Sequence, residues 1–156
     1  MRDDEFEQLY EAEAAVLFSF LAYRTGDRAL AEDLLADAFE RALRGKYDKR
    51  RGSPRTWLYS IALNLLRDHV RRTAAEGRAY AKVEVPSGGD PFAGVEHRDE
   101  LSRALATLSG PEREAIALRF GSGMTVPEIA KLLDAPLTTI EGRVYRALRK
   151  LREALG

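Results

Sequence analysis

The sequence predicts an all-α fold of two small helical domains joined by a flexible linker, the second containing a helix-turn-helix. Three observations predict it. Apolar residues recur every three or four positions along most of the chain, and no run alternates convincingly with the period of two that a strand needs. The pattern stops over residues 77–95, where Pro86, Ser87, Gly88, Gly89, Asp90, Pro91 and Gly94 accumulate, as in a linker at a domain boundary. Beyond it, a short helical pattern, a turn of three or four residues and a longer basic helical pattern fill 126–154. The expected division is a domain at 1–76, a linker at 77–95 and a domain at 96–156.

Taken in order, the first helix spans 3–23, with Phe6, Leu9, Tyr10, Val16, Leu17, Phe20 and Leu21 at its apolar positions and Gly26 as its stop. Asp27 caps a second helix at 28–44, whose apolar positions include Leu30, Leu34, Leu35, Ala38, Phe39 and Leu43. Gly45 ends it, and a basic loop with one aromatic, Tyr47, follows to Gly52. Ser53 and Pro54 are an N-cap and a first-turn proline, opening a helix that runs to about Ala75. Trp57, Leu58, Ile61, Ala62 and Leu65 share one side of it, which favours Trp57 as a core residue. Thr56, Ser60, Asn64, Arg67 and Arg71 follow at spacings of four, four, three and four, as one polar stripe without an acid. Hydroxyls, an amide and arginines suit a surface of phosphates and bases.

After the linker, 96–107 forms a helix with Leu101, Leu105 and Leu108 near its inner face. Ser109 with Glu112 has capping-box spacing for a helix to Phe120, ended by Gly121. Thr125 with Glu128 repeats that spacing for a helix at 126–133, and Asp134 to Leu137 is a tight turn. Thr138 with Glu141 gives the spacing a third time, opening a helix to about Ala154 whose apolar side is Ile140, Val144, Ala147, Leu148 and Leu151. Opposite lie Thr138, Gly142, Tyr145, Arg146 and Arg149, on the face that the second helix of a helix-turn-helix presents to the major groove.

With 45% hydrophobic and 32% charged residues the chain reads as soluble and globular. No apolar run approaches the roughly 20 residues of a bilayer span and no signal peptide opens the chain, so the expected location is cytoplasmic, with no membrane insertion of its own. Cysteine is absent, and His69 and His97 form no metal spacing, so neither disulfides nor a metal site is expected. Without a phosphate-binding glycine loop or a paired acid–base set, neither a cofactor nor an enzyme is expected. The net charge of zero hides an asymmetry. Residues 1–40 carry 3 Lys/Arg against 11 Asp/Glu, residues 41–82 carry 12 against 3, and residues 141–156 carry 5 against 2. Basic blocks favour nucleic acid or anionic lipid, and an acidic one a protein partner or plain solvation.

Three segments in this order resemble the extracytoplasmic-function (ECF) sigma factors of bacterial transcription initiation, over nearly the whole chain. They are AEDLLADAFERAL at 31–43, RTWLYSIALNLLRDHVRR at 55–72, and the stretch from LSGPEREAIALRF to VYRALRKLRE at 108–153. The resemblance implies that the first segment grips core RNA polymerase, with Asp33, Asp37, Phe39 and Arg41 as contact candidates unless they are ordinary helix surface and, for Phe39, core. It implies that the second melts and recognises the −10 element of promoter DNA. Asn64 and the loop at 46–54, with Tyr47, Arg50 and Arg51, are then placed at a base flipped from the non-template strand. Tyr47 either walls that base or packs beneath the loop. Thr56, Ser60, Arg67, Arg71 and Arg72 extend the same surface, the arginines on phosphate. The third segment reads the −35 element through Thr138, Thr139, Glu141, Gly142, Arg143, Tyr145, Arg146 and Arg149. An anti-sigma factor that wedges between or wraps the domains is implied as a further partner.

Some positions depart from the family pattern. Ala36 stands where Gln is frequent, Asp37 where Glu is usual, Leu63 where an Arg is common, and Glu141 and Gly142 where Lys or Arg and then Ser are common. Glu141 is either a cap for its own helix or an acceptor for cytosine N4. Capping is preferred here, because the same spacing opens two earlier helices. The alternative for the whole chain is a stand-alone helix-turn-helix regulator, which leaves the basic helix at 55–72 without a role.

Overall fold

A computed structural model describes residues 1–76 and 98–156. The expected linker at 77–95 and the first two residues of the helix expected at 96–107 lie outside the described residues. All regular structure among the described residues is helical, and the chain divides into two units.

The first unit holds α1 (Asp3–Thr25), α2 (Arg28–Arg44) and α3 (Pro54–Ala75). Asp3, Asp4 and Glu5 place negative charge at the positive end of α1. Gly26, at φ 68°, takes the left-handed conformation that turns the chain out of it. The Asp27 carboxylate accepts from Leu30 N at 3.1 Å and starts α2. Ser53 Oγ accepts from Thr56 N at 3.2 Å and starts α3, with Pro54 at its first position. Leu17, Phe20, Leu21, Tyr23, Ala31, Ala38, Leu58, Tyr59 and Ala62 are the fully covered centre of this unit. Phe20 and Tyr59 meet there at 5.9 Å between ring centroids. Arg55 lies 3.8 Å from the buried Glu13 carboxylate and fastens the start of α3 to α1.

α3 is turned relative to the expected arrangement. Its buried residues are Thr56, Leu58, Tyr59, Ala62, Leu63, Leu65 and Leu66, while Trp57 and Ile61, expected inside, are half-buried. The cause is that α3 packs on both α1 and α2. Two neighbours cover a broader arc than one, and Tyr59, Leu63 and Leu66 extend it on the side away from Trp57. The buried place of Leu63 also suits the departure from Arg noted above.

The second unit holds α4 (Arg98–Ala106), α5 (Gly110–Ile116), α6 (Val126–Leu133) and α7 (Leu137–Leu155). Leu105, Ile116, Leu118, Met124, Ile129, Ile140 and Ala147 form its core, and α7 packs on α4, α5 and α6. Two of the three expected capping boxes form, at Ser109–Glu112 and at Thr125–Glu128. The helix expected to reach Phe120 instead leaves α-geometry at Ala117 and makes one wide π turn to Gly121. Ser122 N bonds to Ala117 O and Met124 N to Leu118 O, which brings Ser122 and Met124 back into the interior.

The third capping box does not form. Pro136 is the N-cap of α7, and its carbonyl accepts from Thr139 N at 3.0 Å and Ile140 N at 3.3 Å. The proline ring fixes the extended entry to the helix, so helical bonding begins two residues ahead of Thr138. Thr138 therefore lies inside the first turn, and Glu141 is beyond the reach of a free N-terminal N–H. Thr125→Ala should accordingly cost about 0.5–2 kcal/mol, whereas Thr138→Ala should stay within about 0.5 kcal/mol. Chemical denaturation followed by circular dichroism checks the difference; equal losses would contradict this account of α7.

Candidate nucleic-acid interface

In the first unit the exposed side of α3 carries Asn64, Arg67, Asp68, Arg71 and Arg72. Thr56 is not on it. It is buried, its hydroxyl 3.1 Å from Ser53 Oγ, because the turned helix puts the start of the expected stripe inside. Ser60 is half-buried and donates to its own Trp57 carbonyl at 2.6 Å. The row also contains an acid that the stripe lacked, since Asp68 pairs with Arg71. Both partners are mostly exposed, and such an i,i+3 pair is worth only about 0.3–0.5 kcal/mol. That is too little to withhold Arg71 from a phosphate.

The basic loop before α3 is a built structure. Asp48 accepts from Arg50 N at 3.0 Å and starts one 3-10 turn, Lys49–Arg51. Tyr47 donates to Gly52 O at 2.6 Å across that turn, and its ring meets Trp57 at 5.5 Å. Tyr47 thus packs beneath the loop against Trp57, and burial raises its phenol above its usual range. Gly45 lies under the same ring: a Cβ there would fall 3.0 Å from Trp57 Cζ2 and 2.9 Å from Arg41 O. Arg50 is exposed, and Arg51 closes the turn. Trp57, missed as a surface residue, is held half-exposed at the head of a row that continues through Ile61 to Asn64. An amide, a partly open ring and neighbouring arginines are the parts that holding an unstacked base requires.

On α2, Asp33, Asp37 and Arg41 are exposed. Phe39 is buried instead, with its ring 6.0 Å from Phe6 and 5.0 Å from Tyr10. Asp37 and Arg41 share an open hollow of about 450 Å³ with Leu65, Asp68, Arg71 and Arg72 of α3. The candidate protein-contact and phosphate-contact residues thus adjoin.

In the second unit, Thr138, Glu141, Tyr145 and Arg149 run along the exposed side of α7, with Tyr145 67% exposed. Arg152 continues that line, and Leu137 and Leu148 flank it, all three exposed and missing from the expected set. Thr139, Gly142 and Arg143 are half-buried. Arg146 folds back along the helix, so that a Cβ on Gly142 would lie 3.0 Å from its Nη1. Its Nε is 3.6 Å from Glu112 Oε2. Glu112 Oε1 accepts from Lys150 Nζ at 2.7 Å and from Ser109 N at 2.9 Å. The bond from Lys150, together with that from Ser109, lowers the Glu112 carboxyl below its usual range.

The family models for Sigma-70 region 2 and Sigma-70 region 4 match residues 9–76 and 98–151 respectively. The ECF sigma factor SigC of Mycobacterium tuberculosis is 33% identical, over 90% of this chain and 78% of its own length. The chain belongs to the ECF RNA polymerase sigma factors. BldN of Streptomyces coelicolor, another ECF sigma factor, is 30% identical over 97% of this chain, which spans 61% of BldN's length. Among solved structures, the sigma factor RpoE of Bartonella quintana, in complex with the anti-sigma factor NepR, matches with a TM-score of 0.77 and 25% identity over 97% of both chains. A stand-alone helix-turn-helix regulator is not favoured, since it accounts for the region 4 match and leaves region 2 unexplained.

The lowered Glu112 carboxyl sets the sign of an expected pH dependence. A carboxyl lowered in the folded state stabilises it fully above the ordinary glutamate value of about 4.3, and the contribution is lost as pH falls through the lowered value. Glu112→Gln should therefore lose stability at neutral pH and show a shallower fall on acidification below about pH 4.3. Parallel pH titrations of thermal stability check it; superimposable curves would contradict the ion pairing.

Proposed function

We propose that this sigma factor binds core RNA polymerase through Asp33, Asp37 and Arg41 of α2, and recognises and opens the −10 element with α3 and the loop before it. We further propose that it reads the −35 element as duplex through α7. The observation that carries this reading is the pair of basic helix faces, one in each unit, that coincide with the region 2 and region 4 matches. In the first domain, 1–76, Asn64 addresses the edge of an unstacked base beside Trp57, and Arg67, Arg71 and Arg72 hold the phosphates. Across the linker 77–95, the second domain, 96–156, lays α7 in the major groove. Lys and Arg contacts to phosphate give affinity, while contacts to base edges give the promoter its identity. The polymerase performs the chemistry, so the chain itself is not an enzyme. It works in the cytoplasm, where its partner is; among the described residues no helix is long and apolar enough to cross a membrane. RpoE's pairing with NepR supports an anti-sigma factor as a regulator here too.

Run-off transcription with purified core polymerase tests the reading directly. Initiation from specific genomic promoter fragments should require this chain, and Asn64→Ala should impair opening more than duplex binding. Permanganate footprints unchanged in the mutant would sink the role of Asn64. Arg71→Ala should weaken binding across sequences and reduce the salt slope by about one unit.

Glu141 receives its role from the corrected helix start. It is exposed, has no partner among the described residues and cannot cap α7. On the reading face of a major-groove helix a carboxylate accepts from cytosine N4. Glu141→Gln should change the preference at one −35 position by about 1–3 kcal/mol. Selection from randomised −35 elements decides it, and identical sequence logos would remove Glu141 from readout.

A further inference from the structure

The recognition helix carries a cation whose position is set from another helix. Arg146 is rooted in the middle of α7, yet its guanidinium lies over Gly142, one turn nearer the N-terminal end. That is the end from which a recognition helix reaches base edges. Two features bring it there. Gly142 lacks the Cβ that would stand 3.0 Å from Nη1. Glu112 of α5, buried and fixed by its capping box, faces Nε with Oε2 at 3.6 Å. Its other oxygen is occupied by Lys150 Nζ at 2.7 Å and Ser109 N at 2.9 Å, so the carboxylate cannot swing away freely. With Nε turned to Glu112 and the side chain half exposed, the outer end of the guanidinium is open to a further partner. A guanidinium held from behind in this way presents a two-donor edge. The major-groove group that accepts such an edge is O6 with N7 of guanine.

We propose that Glu112 is a positioning residue for promoter reading: with Gly142 it holds Arg146 in register to recognise one guanine of the −35 element. The inference rests on the −35 role of α7 and adds to it a base identity and a buried residue that never touches DNA. It also gives Gly142 a purpose in the middle of a helix, where glycine costs roughly 1 kcal/mol relative to alanine.

The test uses the full-length chain assembled with core RNA polymerase and a library randomised across the −35 element. Wild type should select a logo containing one strongly preferred G·C pair. Arg146→Ala should erase the preference at that pair. Glu112→Gln, which keeps the capping box because glutamine can close it, should reduce the same preference about tenfold, and Gly142→Ala should reduce it at the same pair. In an Arg146→Ala background, Glu112→Gln should have no further effect on selection. A merely structural Glu112 would lower thermal stability and leave the logo intact, and that result overturns the proposal. Loss of preference at different pairs in the Glu112 and Arg146 variants overturns it as well. A wild-type logo retained by all three variants defeats this inference alone, while a wild type that selects no −35 sequence defeats the role of α7 and the inference with it.

Discussion

A helix of about twenty residues has one rotational setting in which its widest apolar arc is covered, and that setting decides which polar side chains face outward. Both helices proposed to face DNA obey this constraint. α3 turns until Leu58, Tyr59, Ala62, Leu63, Leu65 and Leu66 are covered by α1 and α2. Asn64, Arg67 and Arg71 are then left on the uncovered side. α7 turns until Ile140, Val144 and Ala147 are buried, which leaves Thr138, Glu141 and Tyr145 facing solvent. Moving one methylene-rich side chain of the covered arc into water costs about 1.5–3 kcal/mol, more than a typical surface contact to phosphate returns. The proposed reading faces are therefore set by packing within each unit.

This constraint explains what the sequence disclosed and where it misled. Element boundaries were legible because they rest on local chemistry: Asp27, Ser53, Ser109 and Thr125 each bond an N–H within three residues of themselves. The rotational setting of α3 was not, since it depends on a second neighbour from another part of the chain. Thr56 was misplaced outside and Trp57 inside for that reason. Phe39 met the same ambiguity from the other side: its apolar character fitted core and contact equally, and Phe6 with Tyr10 decided it.

The candidate site was legible in its residues and not in its connections. Ser109 with Glu112 announced a capping box, and the box is there. Nothing local announced that the same carboxylate meets Lys150, 38 residues on. Thr138 with Glu141 shows the converse. Spacing alone proposed a cap, and the rigid entry at Pro136 had already supplied the helix start. A spacing rule names what two residues can do if the backbone begins where expected, and a proline can move that beginning.

The two acid–arginine pairs on the proposed DNA surfaces show how burial divides affinity from specificity. Asp68 and Arg71 sit one turn apart with most of both side chains in solvent. Ions screen such charges beyond about 8–10 Å, and the pair is weak enough for Arg71 to leave it for whichever phosphate comes near. A contact of that kind strengthens binding to any sequence. Glu112 is 7% exposed at its side chain and tied through Oε1 to Lys150 and Ser109, so it stays in place beside a half-exposed Arg146 and is screened less than Asp68. On the proposed reading, a cation held in register tells one base edge from another, where a cation that follows the backbone does not. On the proposed reading, an acid beside an arginine thus serves opposite purposes in the two units, and the difference lies in what covers the acid.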